Sequence, residues 1–236
     1  MSFIGLDLGT SSLKAILINE EQDVLAEHAV ILSVTREHDG WSEQDPQGWC
    51  DAATEALGAL AAHPACKALK GIGLSGHMHG ATFVSQDGHA LRPCMLWNDT
   101  RSHAEAAEMD ADPKFRAISG NIVFPGFTAP KVEWVRRNEP EIFEKTLKIL
   151  LPKDYLRFFL TGEYVSDLSD AAGTAWLDTE CRDWSDALLH ACGLTRDHMP
   201  SLVEGSRPSG TLRAALAEEL GLPQCIIAGG GGDNAA

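Results

Sequence analysis

Three short segments bring together the residue types that chemistry on a small polar molecule needs. The first is DLGTSS, Asp7 to Ser12, a turn between two apolar runs. Gly9 lets a ligand approach the backbone, and Thr10, Ser11 and Ser12 offer the hydroxyls and amides of a phosphate-cradling turn. It is not a Walker loop, because GxxxxGK[ST] opening a helix is absent and the residues that follow read as a strand. A polar hairpin turn would explain the same hydroxyls. Asp7 tips the balance towards a ligand: a carboxylate in an otherwise apolar strand is costly to bury unless it holds something, such as a hydrated Mg²⁺.

The second segment is GHMHG, Gly76 to Gly80. His77 and His79 are two apart on an extended chain, so they point to opposite sides and only one of them can face a given ligand. A zinc site needs a third and usually a fourth ligand, and neither HExxH nor a Cys pair is present. Glycines flanking one inward His suit a loop against which a polar small molecule lies; a solvent-exposed turn is the alternative. The third segment is GGGGDN, Gly229 to Asn234, after the apolar run CIIA. Four glycines cost entropy on ordering, and close approach of backbone to a ligand accounts for them better than a mere connector does. Asp233 there can accept a proton from a substrate hydroxyl while that oxygen attacks phosphorus. It also reads as the N-cap of a helix starting at Asp233 or Asn234, and both roles can hold together.

The elements that must position these segments read as mixed α/β. Phe3 to Leu8, Leu13 to Asn19 and VLAEHAVIL form a β-meander at the start of the chain. Asp45, with Pro46 at the first helical position, opens an alanine-rich helix through about Ala62. Leu69 to Gly76 reads as a buried strand, and ATFVSQDGHALRPCMLW as a hairpin around Asp87 and Gly88. From about Arg101 to Leu160 apolar residues recur at spacings of three and four, with Gly162 as a helix stop. This helical stretch reads as an insertion into one domain, over about 101–162.

With 236 residues, 44% of them apolar and 22% charged, the chain is a folded domain rather than a disordered one. The balance of 19 Lys and Arg against 34 Asp and Glu, a net charge of −15, sets nucleic-acid binding aside. Six cysteines without a CxxC pair read as reduced and buried, which suits a cytoplasmic protein. No run of about 18 apolar residues is present, so neither a membrane span nor a cleavable signal is expected.

Several motifs, in order along all 236 residues, resemble the N-terminal half of the FGGY family of carbohydrate kinases: DLGTSSLK, WSEQDP, GHMHGAT, LWNDTR, PGFTAPKVEWV, LLPKDYLRFFLTGE, SDLSDAAGTAWLD and AGGGGDNAA. The stretch around Gly126, Thr128, Lys131 and Trp134 is similar to the family's first signature. The resemblance implies a ribonuclease-H-like, actin-like ATPase fold with a βββαβαβ core, and an activity that phosphorylates a sugar with ATP and Mg²⁺. MHG and SDAAGT favour D-xylulose, phosphorylated at its 5-hydroxyl, over glycerol or gluconate. Carried onto this chain, Asp233 accepts the proton of the sugar hydroxyl. Met78 and His79 contact the ketose, with Trp97, Asn98, Asp99 and Asn234 near it. Gly9, Thr10 and Ser11 meet the γ-phosphate, and Asp7 acts through Mg²⁺ and its waters. Family members continue past this loop into a second actin-like domain that supplies the adenine pocket, so residues 1–236 alone are expected to bind sugar weakly and to turn over ATP negligibly. The alternatives are a kinase for another ketose or polyol, such as ribulose, gluconate or glycerol, and a non-catalytic actin-like binding module. Oligomeric state stays open, a homodimer included.

Overall fold

The computed structural model describes residues 1–234. Its opening meander is the expected one: β1 (Ser2–Leu8), β2 (Ser12–Asn19) and β3 (Val24–Ile31) pair antiparallel in chain order. Strand alternation buries Ile4, Leu6, Leu8, Leu13, Ala15 and Leu17 on one face and leaves Gly5, Asp7 and Ile16 on the other. After β4 (Glu43–Gln44), α1 (Pro46–Ala61) begins with Pro46 in its first turn and the Asp45 carboxylate accepting from the Gln47 amide at 3.0 Å. Its buried face, Trp49, Ala53, Leu57 and Leu60, joins the apolar face of the meander in one core. Then β5 (Leu69–Gly76) lies parallel to β1.

The hairpin expected next is only half present. The turn at Asp87 and Gly88 forms, with the Ser85 amide donating to the His89 carbonyl at 2.9 Å. Among the described residues its return arm meets the first arm only at two isolated bridges, Val84 to Ala90 and Ala81 to Met95. Instead β6 (Thr82–Val84) pairs with residues 148–150, and β7 (Cys94–Met95) pairs with β4. The ladder is broken between these bridges, where Pro93 has no amide to donate and Arg92 is drawn into an ion pair with Glu43 at 2.5 Å.

The helical middle contains α2 (His103–Ala111), α3 (Pro113–Ser119), α4 (Thr128–Asn138) and α5 (Pro140–Lys145), then β8 (Lys148–Leu150), then α6 (Pro152–Thr161). Gly162 stops α6 with φ 84°, as expected. The interruption by β8 has no signal in the sequence, since a three-residue strand with two apolar residues is too short to display a period. There follow β9 (Val165–Asp167), α7 (Leu168–Ala171), β10 (Leu177–Asp178), β11 (Asp183–Trp184), α8 (Asp186–Ala191) and β12 (Ser201–Val203). The described residues close with β13 (Pro208–Thr211), α9 (Ala214–Leu220), β14 (Ile226–Ala228) and β15 (Gly231–Gly232).

The main sheet runs β13-β14-β5-β1-β2-β3, with β15 continuing along β5. Strands β14, β5 and β1 are parallel and the flanking pairs antiparallel, which is the ribonuclease-H-like order. One apolar core lies between this sheet and α1, α6 and α9; a second gathers Phe83, Met95, Val132, Trp176, Trp184 and Leu188. The stretch 101–162 supplies both: Leu156 and Leu160 of α6 enter the first core, while Trp176, Trp184 and Leu188, beyond 162, complete the second. Five cysteines are buried, but Cys181 is exposed, contrary to expectation, because it sits in the turn after β10. Among the described residues no helix is long and apolar enough to cross a membrane.

Candidate functional site

Three parallel strands end on one edge of the sheet, and the candidate residues meet there. Asp7 near the end of β1 and Ser75 near the end of β5 are cross-strand partners, and the Ser75 hydroxyl donates to Asp7 Oδ1 at 2.5 Å. Alongside, β15 pairs Gly231 with Ser75 and Gly232 with Gly76, and the Asp233 amide donates to the Gly76 carbonyl at 2.8 Å. Asp233 is thus delivered to the carboxyl edge, where open α/β sheets bind ligands. Gly230 permits the approach: its φ is 72°, and a Cβ there would run into the Leu74 carbonyl. Partial burial, and then the negative charge of Asp7, push the Asp233 carboxyl above the usual carboxylate range. That makes it a stronger proton acceptor.

A cavity of about 450 Å³ opens at this edge, lined by Thr10, Met78, His79, Trp97, Phe124, Asp233 and Asn234. All but Phe124 were singled out from sequence. Phe124 packs on Phe127 with ring centroids 4.3 Å apart and stands over Gly126, where a Cβ would strike its ring. The segment around it, NIVFPG, has no periodicity to mark it; an aromatic beside a Pro-Gly turn was the only signal. Trp97 Nε1 donates to Thr10 Oγ1 at 3.1 Å, which ties the LWND loop to the DLGTSS turn. Within that turn the Gly9 amide donates to the Ser12 carbonyl at 3.0 Å. Among the described residues the amides of Thr10 and Ser11 have no protein acceptor, leaving two donors for an anion. Asp7, Gly9 and Ser11 are outside the cavity lining, although the charge of Asp7 reaches Asp233.

The two histidines part, although they lie past the end of β5 and His79 has a left-handed rather than an extended backbone. His77 goes inward, 1% exposed, edge-on to Trp49 at 5.5 Å, with neither ring nitrogen bonded among the described residues. Burial lowers its pKa from 6.5 to about 4. The unfolded chain therefore takes up this proton first, so stability is full above the ordinary histidine pKa of 6.5 and falls as pH drops towards about 4. The loss is up to about 3 kcal/mol. His77→Phe keeps a ring against Trp49 and is expected to flatten that limb, measured by urea unfolding at several pH values. An unaltered pH dependence would contradict this.

His79, at φ 68°, borders the cavity. Its Nδ1 lies 3.0 Å from the Gly173 carbonyl, which only accepts, so the proton sits on Nδ1 and the Nε2 lone pair is left over. Burial, with Lys131 adding to it, lowers the His79 pKa to about 4, so the ring is neutral and Nε2 can accept from a hydroxyl. Fully buried Lys131 donates to the carbonyls of Gly126 at 2.5 Å, Phe127 at 2.9 Å and Pro125 at 3.1 Å, while Thr128 Oγ1 donates to the His79 carbonyl at 3.2 Å. The signature-like stretch thereby fastens the loops that carry His79 and Phe124.

Asp99, expected near the sugar, is not at the cavity. It is fully buried, its carboxylate accepting from the Ser42 amide at 2.7 Å and from Arg101 at 3.0 Å and 2.6 Å. The Arg101 guanidinium lies 3.5 Å from the centre of the Trp41 ring. A buried carboxylate with a guanidinium two residues away is consumed by that pairing, so Asp99 holds the Trp97 loop in place. Asn98 is outside the cavity lining, and its buried Oδ1 has no partner among the described residues. The helix that Asp233 or Asn234 would cap falls on Ala235 and Ala236, outside the described residues.

Residues 2–236 match the family described as "FGGY family of carbohydrate kinases, N-terminal domain". The chain is 52% identical over 235 residues to the xylulose kinase of Klebsiella pneumoniae, covering 99% of this chain and 49% of that protein. It is 50% identical over 235 residues to the xylulose kinase of Escherichia coli (strain K12), with 99% of this chain and 49% of that one covered. A crystal structure described as a xyloylose kinase from Brucella ovis superposes with a TM-score of 0.97 at 59% identity, over 100% of this chain and 49% of the other. The chain spans about half the length of the relatives it matches.

Proposed function

Because the chain belongs to the FGGY family of carbohydrate kinases, we propose that it is the sugar-binding half of an ATP-dependent kinase that phosphorylates D-xylulose at its 5-hydroxyl. The observation that carries this reading is the convergence, on one cavity of about 450 Å³, of the Asp233 carboxylate, the free Nε2 of His79 and the edge of the DLGTSS turn. Its volume suits a small sugar. Met78, Trp97 and Phe124 wall the carbon chain, and His79 Nε2 and Asn234 orient hydroxyls. Asp233 accepts the proton as the hydroxyl oxygen attacks phosphorus.

The amides of Thr10 and Ser11 receive the γ-phosphate, which Gly9 lets approach the backbone. A chain of net charge −15 must offset the charge of ATP locally, and free donors in that turn do so. Among the described residues only Oδ1 of Asp7 is engaged, by Ser75, so its other oxygen suits the hydrated shell of Mg²⁺. When bound, Mg²⁺ would neutralise phosphate charge. A second domain of the kind the family carries supplies the adenine pocket.

The names of the relatives at 50–52% identity support D-xylulose over ribulose, gluconate or glycerol. In the full-length enzyme kcat/KM for D-xylulose is expected to exceed that for each of these by about tenfold or more. A preference for glycerol or gluconate would overturn the substrate assignment. Residues 1–236 alone are expected to show no measurable ATP turnover, since half of the positioning apparatus lies elsewhere.

A further inference from the structure

Helix α6 carries Lys153, Asp154 and Arg157, while β9 and α7 carry Asp167 and Asp170; all five side chains are 0% exposed. The Lys153 ammonium sits 2.6 Å from Asp154, 2.9 Å from Asp167 and 3.5 Å from Asp170. It is the cation among three carboxylates whose ligand atoms lie within 4.8 Å of one another. Burying five ionisable groups is expensive, several kcal/mol for each ion before pairing, and the proton transfer at Asp233 uses none of them.

Arg157 connects this cluster to the site. Its Nη1 donates to the Ala228 carbonyl at 2.7 Å and to the Ser209 hydroxyl, its Nη2 donates to the Gly229 carbonyl, and Asp154 lies 3.5 Å from Nη2. The Ser209 hydroxyl is also 3.0 Å from the Ala228 carbonyl. Ala228 ends β14 and Gly229 begins the glycine loop that delivers Asp233. At the other end of that loop, Asp170 Oδ1 lies 3.2 Å from the place a Cβ on Gly232 would take, a place the Met78 side chain also crowds. Four consecutive glycines have no side chains with which to fix their own path, so the path must be held from outside.

We propose that Arg157, oriented by Asp154 and Lys153, is a positioning residue for phosphoryl transfer: its guanidinium fork clamps the carbonyls of Ala228 and Gly229 and so sets where Asp233 stands against the sugar hydroxyl. The proposal rests on the reading of Asp233 as the proton acceptor. A planar fork can hold two carbonyls at once, and an ammonium at the same place cannot reproduce it. Displacement of the base by about 1 Å costs on the order of 100-fold in rate.

The test uses the full-length kinase, with Arg157→Lys, Arg157→Met and Ser209→Ala. Arg157→Lys keeps the charge beside Asp154 but loses the fork. It is expected to lower kcat about tenfold and Arg157→Met about 100-fold, with KM for D-xylulose within about twofold in both. Ser209→Ala leaves every charge in place and is expected to cost about threefold in kcat with the same split. Hydrogen exchange should quicken at the amides of 229–233 in each variant and stay as in wild type along β1 and β2. If Arg157→Met does not fold, the other two variants carry the test. Wild-type kcat in Arg157→Lys would overturn the proposal, and so would exchange that quickens throughout the chain rather than at the loop. A wild-type enzyme that phosphorylates no ketose would instead remove the functional reading, and the exchange pattern would still decide whether Arg157 holds the loop.

Discussion

Asp233→Asn in the full-length kinase is expected to lower kcat about 1,000-fold while KM for D-xylulose changes by no more than about twofold. The substitution is nearly isosteric, and the bond from the Asp233 amide to the Gly76 carbonyl, which helps to hold the residue, involves only backbone. What disappears is the ability to take a proton. Burial and the neighbouring charge of Asp7 raise the basicity of Asp233, so wild-type activity should fall as pH drops through that raised pKa, and the residual activity of the variant should lack that limb. Retention of more than about a tenth of the wild-type kcat would mean that another group takes the proton.

The second large effect concerns stability. Lys153→Met is expected to destabilise the chain by about 3–5 kcal/mol, because it leaves buried carboxylates without their cation. Burial opposes the charge on Lys153, yet Asp154, Asp170 and Asp167 together outweigh it and hold its pKa above the ordinary lysine value. The carboxylates are not equal. Burial pushes the Asp170 carboxyl well above the usual carboxylate range, with Lys153 opposing, so at pH 7 its charge contributes less to the cluster than that of Lys153. Asp170→Asn should therefore cost far less than Lys153→Met at that pH, about 1 kcal/mol or under. Denaturant unfolding of the three proteins measures both. Equal losses from the two variants would show that the charges are not arranged this way.

Much of the frame was legible because its signals are local. The alternation in Phe3 to Leu8, the Asp45-Pro46 helix start, the Gly162 stop and the apolar run before Gly229 each depend on a few neighbouring residues, and each appears where it was read. Strand β8 and the pairing of β7 with β4 were not legible, since their partners lie some fifty to seventy residues away in the chain and the ion pair of Arg92 with Glu43 breaks the expected hairpin ladder. The site divides in the same way. Asp7, His79 and Asp233 stood out because glycine-flanked polar residues beside apolar runs ask for a ligand. Asp99 stood out for its motif, but a motif does not say which side of a loop faces a cavity, and Arg101 claims it in the interior. Phe124 was silent because one aromatic in an irregular loop has no pattern. In Lys153, Asp154 and Arg157 the sequence offers only the polar positions of a helix with apolar spacing, and only the fold reveals that Arg157 reaches the glycine loop.

The most direct test is a crystal structure of the full-length enzyme with D-xylulose. The sugar is expected in the cavity between Trp97 and Phe124, with its 5-hydroxyl oxygen within about 3.2 Å of the Asp233 carboxylate and another hydroxyl donating to His79 Nε2. A sugar bound outside this cavity, or one whose 5-hydroxyl points away from Asp233, would contradict the account.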